Sequence, residues 1–198
     1  MAQTYNNLGL VYADKGEWDK AIEYYEKDLE ISEKLGDVHG MAQTYNNLGL
    51  VYADKGEWDK AIEYYEKDLE ISEKLGDVHG MAQTYMNLGS VYADKGEWDK
   101  AIEYYEKSLE ISEKLGDVHG ILYTKGNIGI ILRENEKYDE ALKNFFYVLR
   151  ESEKMGDEPS VSTAYSNIAV TYEKMKNPKM AKEYFEKAEK LKKELGLS

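Results

Sequence analysis

Residues 1–40 and 41–80 are the same forty amino acids, MAQTYNNLGLVYADKGEWDKAIEYYEKDLEISEKLGDVHG, and residues 81–120 depart from them at three positions. A chain with this period folds as an array, because each unit buries its apolar face only against its neighbours. The period continues after the near-identity ends. Leu8-Gly9 recurs as Leu48-Gly49, Leu88-Gly89, Ile128-Gly129 and, loosened, Ile168-Ala169, and Ala21 recurs as Ala61, Ala101, Ala141 and Ala181. Five repeats, 1–40, 41–80, 81–120, 121–160 and 161–198, therefore fill the chain and predict one solenoid domain over residues 1–198.

Within a repeat, Met41, Tyr45, Leu48 and Tyr52 fall at helical spacing and define a helix A. Gly16 interrupts the pattern. Trp18, Ala21, Ile22, Tyr25, Leu29, Ser32 and Leu35 then trace a helix B whose broader apolar arc predicts cover on more than one side. Leu35-Gly36-Asp37 reads as a helix end, a left-handed glycine and an aspartate cap for the next helix A. The only prolines, Pro159 and Pro178, follow capping residues closely, where a missing N–H costs little. Ten helices in antiparallel pairs are expected. Trp18 opens helix B and is expected to cover the seam of the pair, a burial worth roughly 1.5–3 kcal/mol if complete.

These residues resemble the tetratricopeptide repeat family over the whole length. In the second repeat the family pattern is carried by Tyr45, Leu48, Gly49, Tyr52, Gly56, Trp58, Ala61 and Tyr65. Asp28, Asp68 and Ser108 depart from the family's usual alanine, whereas Ala188 keeps it. The forty-residue spacing is similar to the long-helix subclass found in kinesin light chains and in some peptide-responsive bacterial regulators. The resemblance implies an all-α fold, a right-handed alpha-alpha superhelix whose concave face, lined by A helices, holds a peptide or protein segment. Carried over residue by residue, that groove comprises Gln43, Asn46, Leu50 and Asp54, then Gln83, Met86, Ser90 and Asp94, then Tyr123, Ile130, Arg133 and Glu134. The family often places asparagine where this chain has Leu10, Leu50, Ser90, Ile130 and Val170.

Two of the three substitutions in the third repeat, Asn46 becoming Met86 and Leu50 becoming Ser90, fall on that inner face, and the third replaces Asp68 by Ser108. Drift at solvent-facing sites after duplication and tuning of the groove are both open readings. Asn7, Asn47, Asn87, Asn127 and Asn167 persist in every repeat, and an asparagine inside a helix is ordinarily held by a local or inter-helix hydrogen bond.

The formal charge of −13 is uneven: the first two repeats carry −5 each, the third −4, the fourth −2 and the fifth +3. Such a field disfavours nucleic acid and anionic membrane and favours a basic peptide or protein face. In the fifth repeat Lys182 and Glu189 replace the apolar residues at the positions of Ile22 and Leu29, which reads as a C-terminal cap. The first repeat has no such change and lacks the lead-in turn. Its helix A is expected to expose apolar surface, with Tyr5 and Tyr12 contributing to weak self-association.

His39, His79 and His119 recur one repeat apart and cannot converge on one metal ion. Phosphate-binding, hydrolase and metalloprotease motifs are absent, so neither catalysis nor a cofactor nor a metal is expected. Cysteine is absent, no charged leader precedes an apolar segment, and no stretch reaches the length of a membrane span, which leads to the expectation of a cytoplasmic protein. Two functions follow. One is a non-catalytic peptide-binding scaffold; the alternative is a structural or engineered array that self-associates through its N-terminal end and has no natural ligand.

Overall fold

The computed structural model describes residues 2–196, and among them every regular element is a helix. A helices are α1 (Ala2–Asp14), α3 (Val38–Asp54), α5 (Val78–Asp94), α7 (Val118–Glu134) and α9 (Glu158–Lys174). B helices are α2 (Trp18–Leu35), α4 (Trp58–Leu75), α6 (Trp98–Leu115), α8 (Tyr138–Met155) and α10 (Pro178–Glu194). Contacts divide the chain into two compact units, Met1–Ile111 and Ser112–Ser198. In the first, α1 packs on α2, α2 on α3, α3 on α4 and α4 on α5. In the second, α7 packs on α8, α8 on α9 and α9 on α10.

The predicted punctuation is in place. Gly36, Gly76, Gly116 and Gly156 end their B helices with φ near +67° to +69°. Asp37, Asp77, Asp117 and Asp157 then accept a hydrogen bond from the backbone N–H three residues on, at 2.9, 2.9, 3.1 and 3.2 Å. Each satisfies one of the free donors at a helix start. Asn177 caps α10 in the same way through the Met180 N–H, with Pro178 next to it.

Within a pair the helices meet at the small residue of helix A. A Cβ on Gly49 would stand 2.5 Å from the Tyr65 ring, so only glycine lets α3 approach α4 this closely. Tyr65, Leu48 and Ala61 are accordingly buried. A second aromatic group fastens the same pair, with Tyr52 stacked on Tyr64 at 5.3 Å and Tyr45 tilted against the same ring at 6.1 Å. The Lys67 ammonium sits 4.8 Å from the Tyr64 ring centre.

Trp58 contributes less than its size suggests. It occupies the first turn of α4, as expected, but remains 37% exposed, as do Trp18 and Trp98. A residue at the lip of the A–B turn has a helix on one side and water on the other, so the full burial value does not apply. At the C-terminal end Lys182 and Glu189 are exposed, while Leu191 and Leu195 are half-buried.

Candidate functional site

The A-helix positions that the repeat resemblance assigns to a groove lie in both units, and each set is described by itself. In the first unit Gln43, Leu50, Asp54, Gln83 and Asp94 are exposed, and Asn46, Met86 and Ser90 are half-buried. Leu50 stands 42% exposed on a helix whose neighbouring Leu48 and Val51 are almost wholly buried. That contrast places Leu50 on the face turned away from the core.

Between α3, α4 and α5 lies a cavity of about 280 Å³, bordered by His39, Gln43, Asn46, Asn47, Asp68 and Gln83. Asp68 is the unexpected member. It is 4% exposed, whereas the sequence reading set its replacement by Ser108 among changes at solvent-facing sites. The correction has a simple origin: helix B packs both on its own helix A and on the helix A of the next repeat, so a polar residue on its second apolar flank is enclosed.

The buried carboxylate is held by neutral donors. The Thr84 hydroxyl, on the next helix A, donates to Asp68 Oδ2 at 2.5 Å, Asn46 Nδ2 donates to the same oxygen at 3.2 Å, and the Ser72 hydroxyl donates to Oδ1 at 3.3 Å. Among the described residues no cation lies within ion-pair distance of it. Burial raises the Asp68 carboxyl above the ordinary aspartate range, and the hydrogen bonds from Thr84, Asn46 and Ser72 pull it partly back. One repeat earlier Asp28, equally buried, accepts from the Thr44 hydroxyl, and Asn6 Nδ2 donates to Thr44 Oγ1 at 3.1 Å.

The third repeat shows what replaces this arrangement. Where Asp68 becomes Ser108, the hydroxyl donates instead to the Ala82 carbonyl at 2.8 Å, and the asparagine that served the carboxylate is replaced by Met86. Ser90, in the place of Leu50, shares a 2.9 Å hydrogen bond with the Tyr105 hydroxyl. Sequence reasoning missed Asp28, Asp68, Thr44 and Thr84, yet a signal was present in the pairing of two positions across repeats. Asn6 goes with Asp28, Asn46 with Asp68, Met86 with Ser108, Gly126 with Val148, and Ser166 with Ala188. Asparagine is present only where aspartate is.

In the second unit Tyr123 is 55% exposed, Ile130 is also exposed, and Gly126 between them leaves open space above the helix. Arg133 is placed differently from Tyr123 and Ile130. Its side chain is 11% exposed, lies over the Phe145 ring at 5.7 Å, and donates from Nη1 to Asn167 Oδ1 at 3.2 Å. Glu134 is tied to Lys174 Nζ at 2.8 Å and to Arg133 Nε at 3.2 Å, and the Lys174 hydrogen bond holds its carboxyl below the usual range. Glu134 is thus already paired with two cations, unlike the exposed Asp54 and Asp94.

The recurrent asparagines divide. Asn47 Nδ2 donates to Asn6 Oδ1 at 3.4 Å and Asn167 accepts from Arg133, both across helices, while Asn7 accepts locally from Gln3. The Nδ2 groups of Asn87 and Asn127 meet no acceptor among the described residues. Tyr5 and Tyr12, set apart for self-association, are half-buried and stack on Tyr24 at 6.1 and 5.2 Å. Among the described residues no group of three His, Cys, Asp or Glu side chains is arranged to hold a metal ion, and no helix is long and apolar enough to cross a membrane.

A family model described as tetratricopeptide repeat matches residues 1–74 and 80–145, and a second of the same description matches residues 162–195. No curated protein matches the chain. Among solved structures it is similar to BtubC (BKLC) from P. vanneervenii, at 21% identity and a TM-score of 0.88, covering 98% of this chain and 80% of that one. It is similar to the nearly identical TPR-like repeats of a putative kinesin light chain from Podosopora anserina, at 20% identity and a TM-score of 0.81, covering 99% and 97%. A STAND ATPase with a tetratricopeptide repeat sensor from Pyrococcus horikoshii aligns at 20% identity and a TM-score of 0.87, over 97% of this chain and 30% of that one. At these identities the likeness shows the fold alone, an all-α, right-handed α-α solenoid.

Proposed function

The chain belongs to the tetratricopeptide repeat family, and from that premise we propose that it is a non-catalytic scaffold that binds a peptide or protein segment on the inner face of its A helices. The observation that carries this reading is the polar cavity between α3, α4 and α5, with the buried Asp68 carboxylate in its wall and Gln43 and Gln83 at its exposed edge. A cavity with a buried carboxylate and no cation beside it suits the ammonium or guanidinium of a basic side chain, and the exposed Asp54 and Asp94 add to the attraction. In the second unit Tyr123 and Ile130 offer an apolar and aromatic surface instead.

The kinship to kinesin-light-chain-type repeats and a cytoplasmic location go with this reading. Titration of the protein with fluorescent peptides of basic, acidic and apolar composition tests it. Saturable binding of the basic peptide is expected, weakened about tenfold by Asp54→Lys together with Asp94→Lys and weakened by rising salt. Equal, unsaturable binding of all three peptides would overturn the reading and favour a structural array without a ligand.

A further inference from the structure

The cavity between α3, α4 and α5 holds more negative charge than Asp68 alone. Asp77, which caps α5, borders the same space and stands exposed at its mouth, while Asp68 lies buried at its floor. Burial is the main cause that raises the Asp68 carboxyl, and the nearby Asp77 charge adds to it. Among the described residues no lysine or arginine lines this cavity.

The hydrogen bonds show which oxygens are open to a ligand. A carboxylate offers about four lone-pair places. Oδ2 of Asp68 takes two donors, Thr84 at 2.5 Å and Asn46 at 3.2 Å, whereas Oδ1 has the long 3.3 Å bond from Ser72. The open place is therefore on Oδ1, the oxygen toward Ser72. Asp77 Oδ1 is engaged by the Gly80 N–H at 2.9 Å, and its Oδ2 is the freer oxygen. Gly80 joins the two places: a Cβ there would stand 2.7 Å from Asp77 Oδ2 and 3.0 Å from Ser72 Oγ, so both atoms border the space that the missing side chain leaves.

Two acceptors set apart in this way suit a planar fork better than a point charge. A guanidinium carries five N–H donors in fixed directions and can serve both carboxylates at once, whereas an ammonium groups three donors around one nitrogen. It is also the more weakly hydrated cation, so it loses less on leaving water for a buried floor. The amide carbonyls of Gln43 and Gln83 offer acceptors for the remaining donors, and Leu75 and Ala42 offer an apolar wall to the methylene stem.

We propose that this cavity is an arginine socket, an inference that rests on the peptide-scaffold reading: one arginine of the bound segment enters between α3, α4 and α5 and sets its guanidinium on Asp68 Oδ1 and Asp77 Oδ2. The socket belongs to this seam. In the third repeat the same positions hold Met86 and Ser108, and the Ser108 hydroxyl turns to the Ala82 carbonyl, so charge and amide are both gone. One repeat earlier Asp28 and Asp37 hold the two acidic places, but Asn6, the counterpart of the half-buried Asn46, is itself 3% exposed, so no open space of that kind adjoins it.

The test uses the full chain and one labelled basic peptide made in two versions of equal charge, with arginine or with lysine at every basic position. The arginine version is expected to bind about fivefold more tightly by fluorescence anisotropy. Two variants locate that preference. Asn46→Met together with Asp68→Ser gives the seam residues with which the third repeat already folds, and Asp77→Ser removes the second charge while keeping a hydroxyl to cap α5. Both are expected to stay folded by thermal denaturation and to bring the arginine-to-lysine ratio below about twofold. Equal binding of the two peptides by the wild type, or a ratio unchanged in either folded variant, would overturn the socket and leave the scaffold reading standing. Binding of neither peptide would overturn both.

Discussion

Asn46 and Asp68 form the most informative residue pair in the molecule, because the third repeat has replaced both. Removing the asparagine alone leaves a buried carboxylate short of one donor, whereas removing the carboxylate alone leaves a half-buried amide that turns to water, and the Thr84 hydroxyl has the Gly80 carbonyl 2.9 Å away. Asn46→Met is therefore expected to cost about 1–2 kcal/mol and Asp68→Ser less. The double variant should be more stable than the sum by about 1 kcal/mol in a urea-denaturation cycle. The pH dependence has a definite sign. Asp68 binds its proton more tightly in the folded protein than in the unfolded chain, so its burial cost is greatest above its folded pKa and is relieved as pH falls toward the unfolded value. The wild type should gain stability relative to Asp68→Ser between pH 7 and pH 4. Little of this was legible beforehand. The departure from alanine at Asp28 and Asp68 is plain in the sequence, but periodicity assigns a charged residue to the solvent side, and only the packing of helix B on two A helices reverses that.

At the scale of elements, the A–B turn makes the strongest demand on the backbone. Gly16, Gly56 and Gly96 take φ of +70° to +76° there, and in the last two repeats the same turn is made by Glu136 at +61° and Lys176 at +58°. A side chain in the left-handed region costs about 1–2 kcal/mol relative to the right-handed one, and glycine avoids most of that. Glu136→Gly is expected to stabilise the protein by about 1 kcal/mol, read as a raised urea midpoint at unchanged slope. Helix boundaries were the most legible feature of this chain. Leu-Gly-Asp names a helix end, a left-handed residue and a cap in three letters, and all three roles are found at Leu75-Gly76-Asp77. The solvent exposure of Leu50, Asp54 and Tyr123 was legible in the repeat pattern, although Asn46, Met86 and Ser90, read from the same pattern, are half-buried. The place of Arg133 was not legible, because its partners Phe145 and Asn167 belong to other helices whose approach no local pattern records.

At the scale of the whole molecule, the repeat pattern argues for one domain over residues 1–198, a proposal that equilibrium unfolding tests. A single transition with coincident fluorescence and circular-dichroism midpoints is expected, and two separated transitions would assign the halves independent stability. The uneven charge bears on the same measurement. The first three repeats are each acidic by four or five charges, so added salt should raise the midpoint by screening repulsion along them. The α2–α3 seam has a kinetic consequence as well. Since residues 2–14 of α1 recur as residues 42–54 of α3, and α2 and α4 are identical, a refolding chain has two chemically near-equivalent ways to lay a B helix on an A helix. Sequence encodes the geometry of each seam and leaves its address to chain connectivity. At high concentration that connectivity loses its advantage over a neighbouring molecule, and exchange of whole repeats between chains becomes the natural error of this fold.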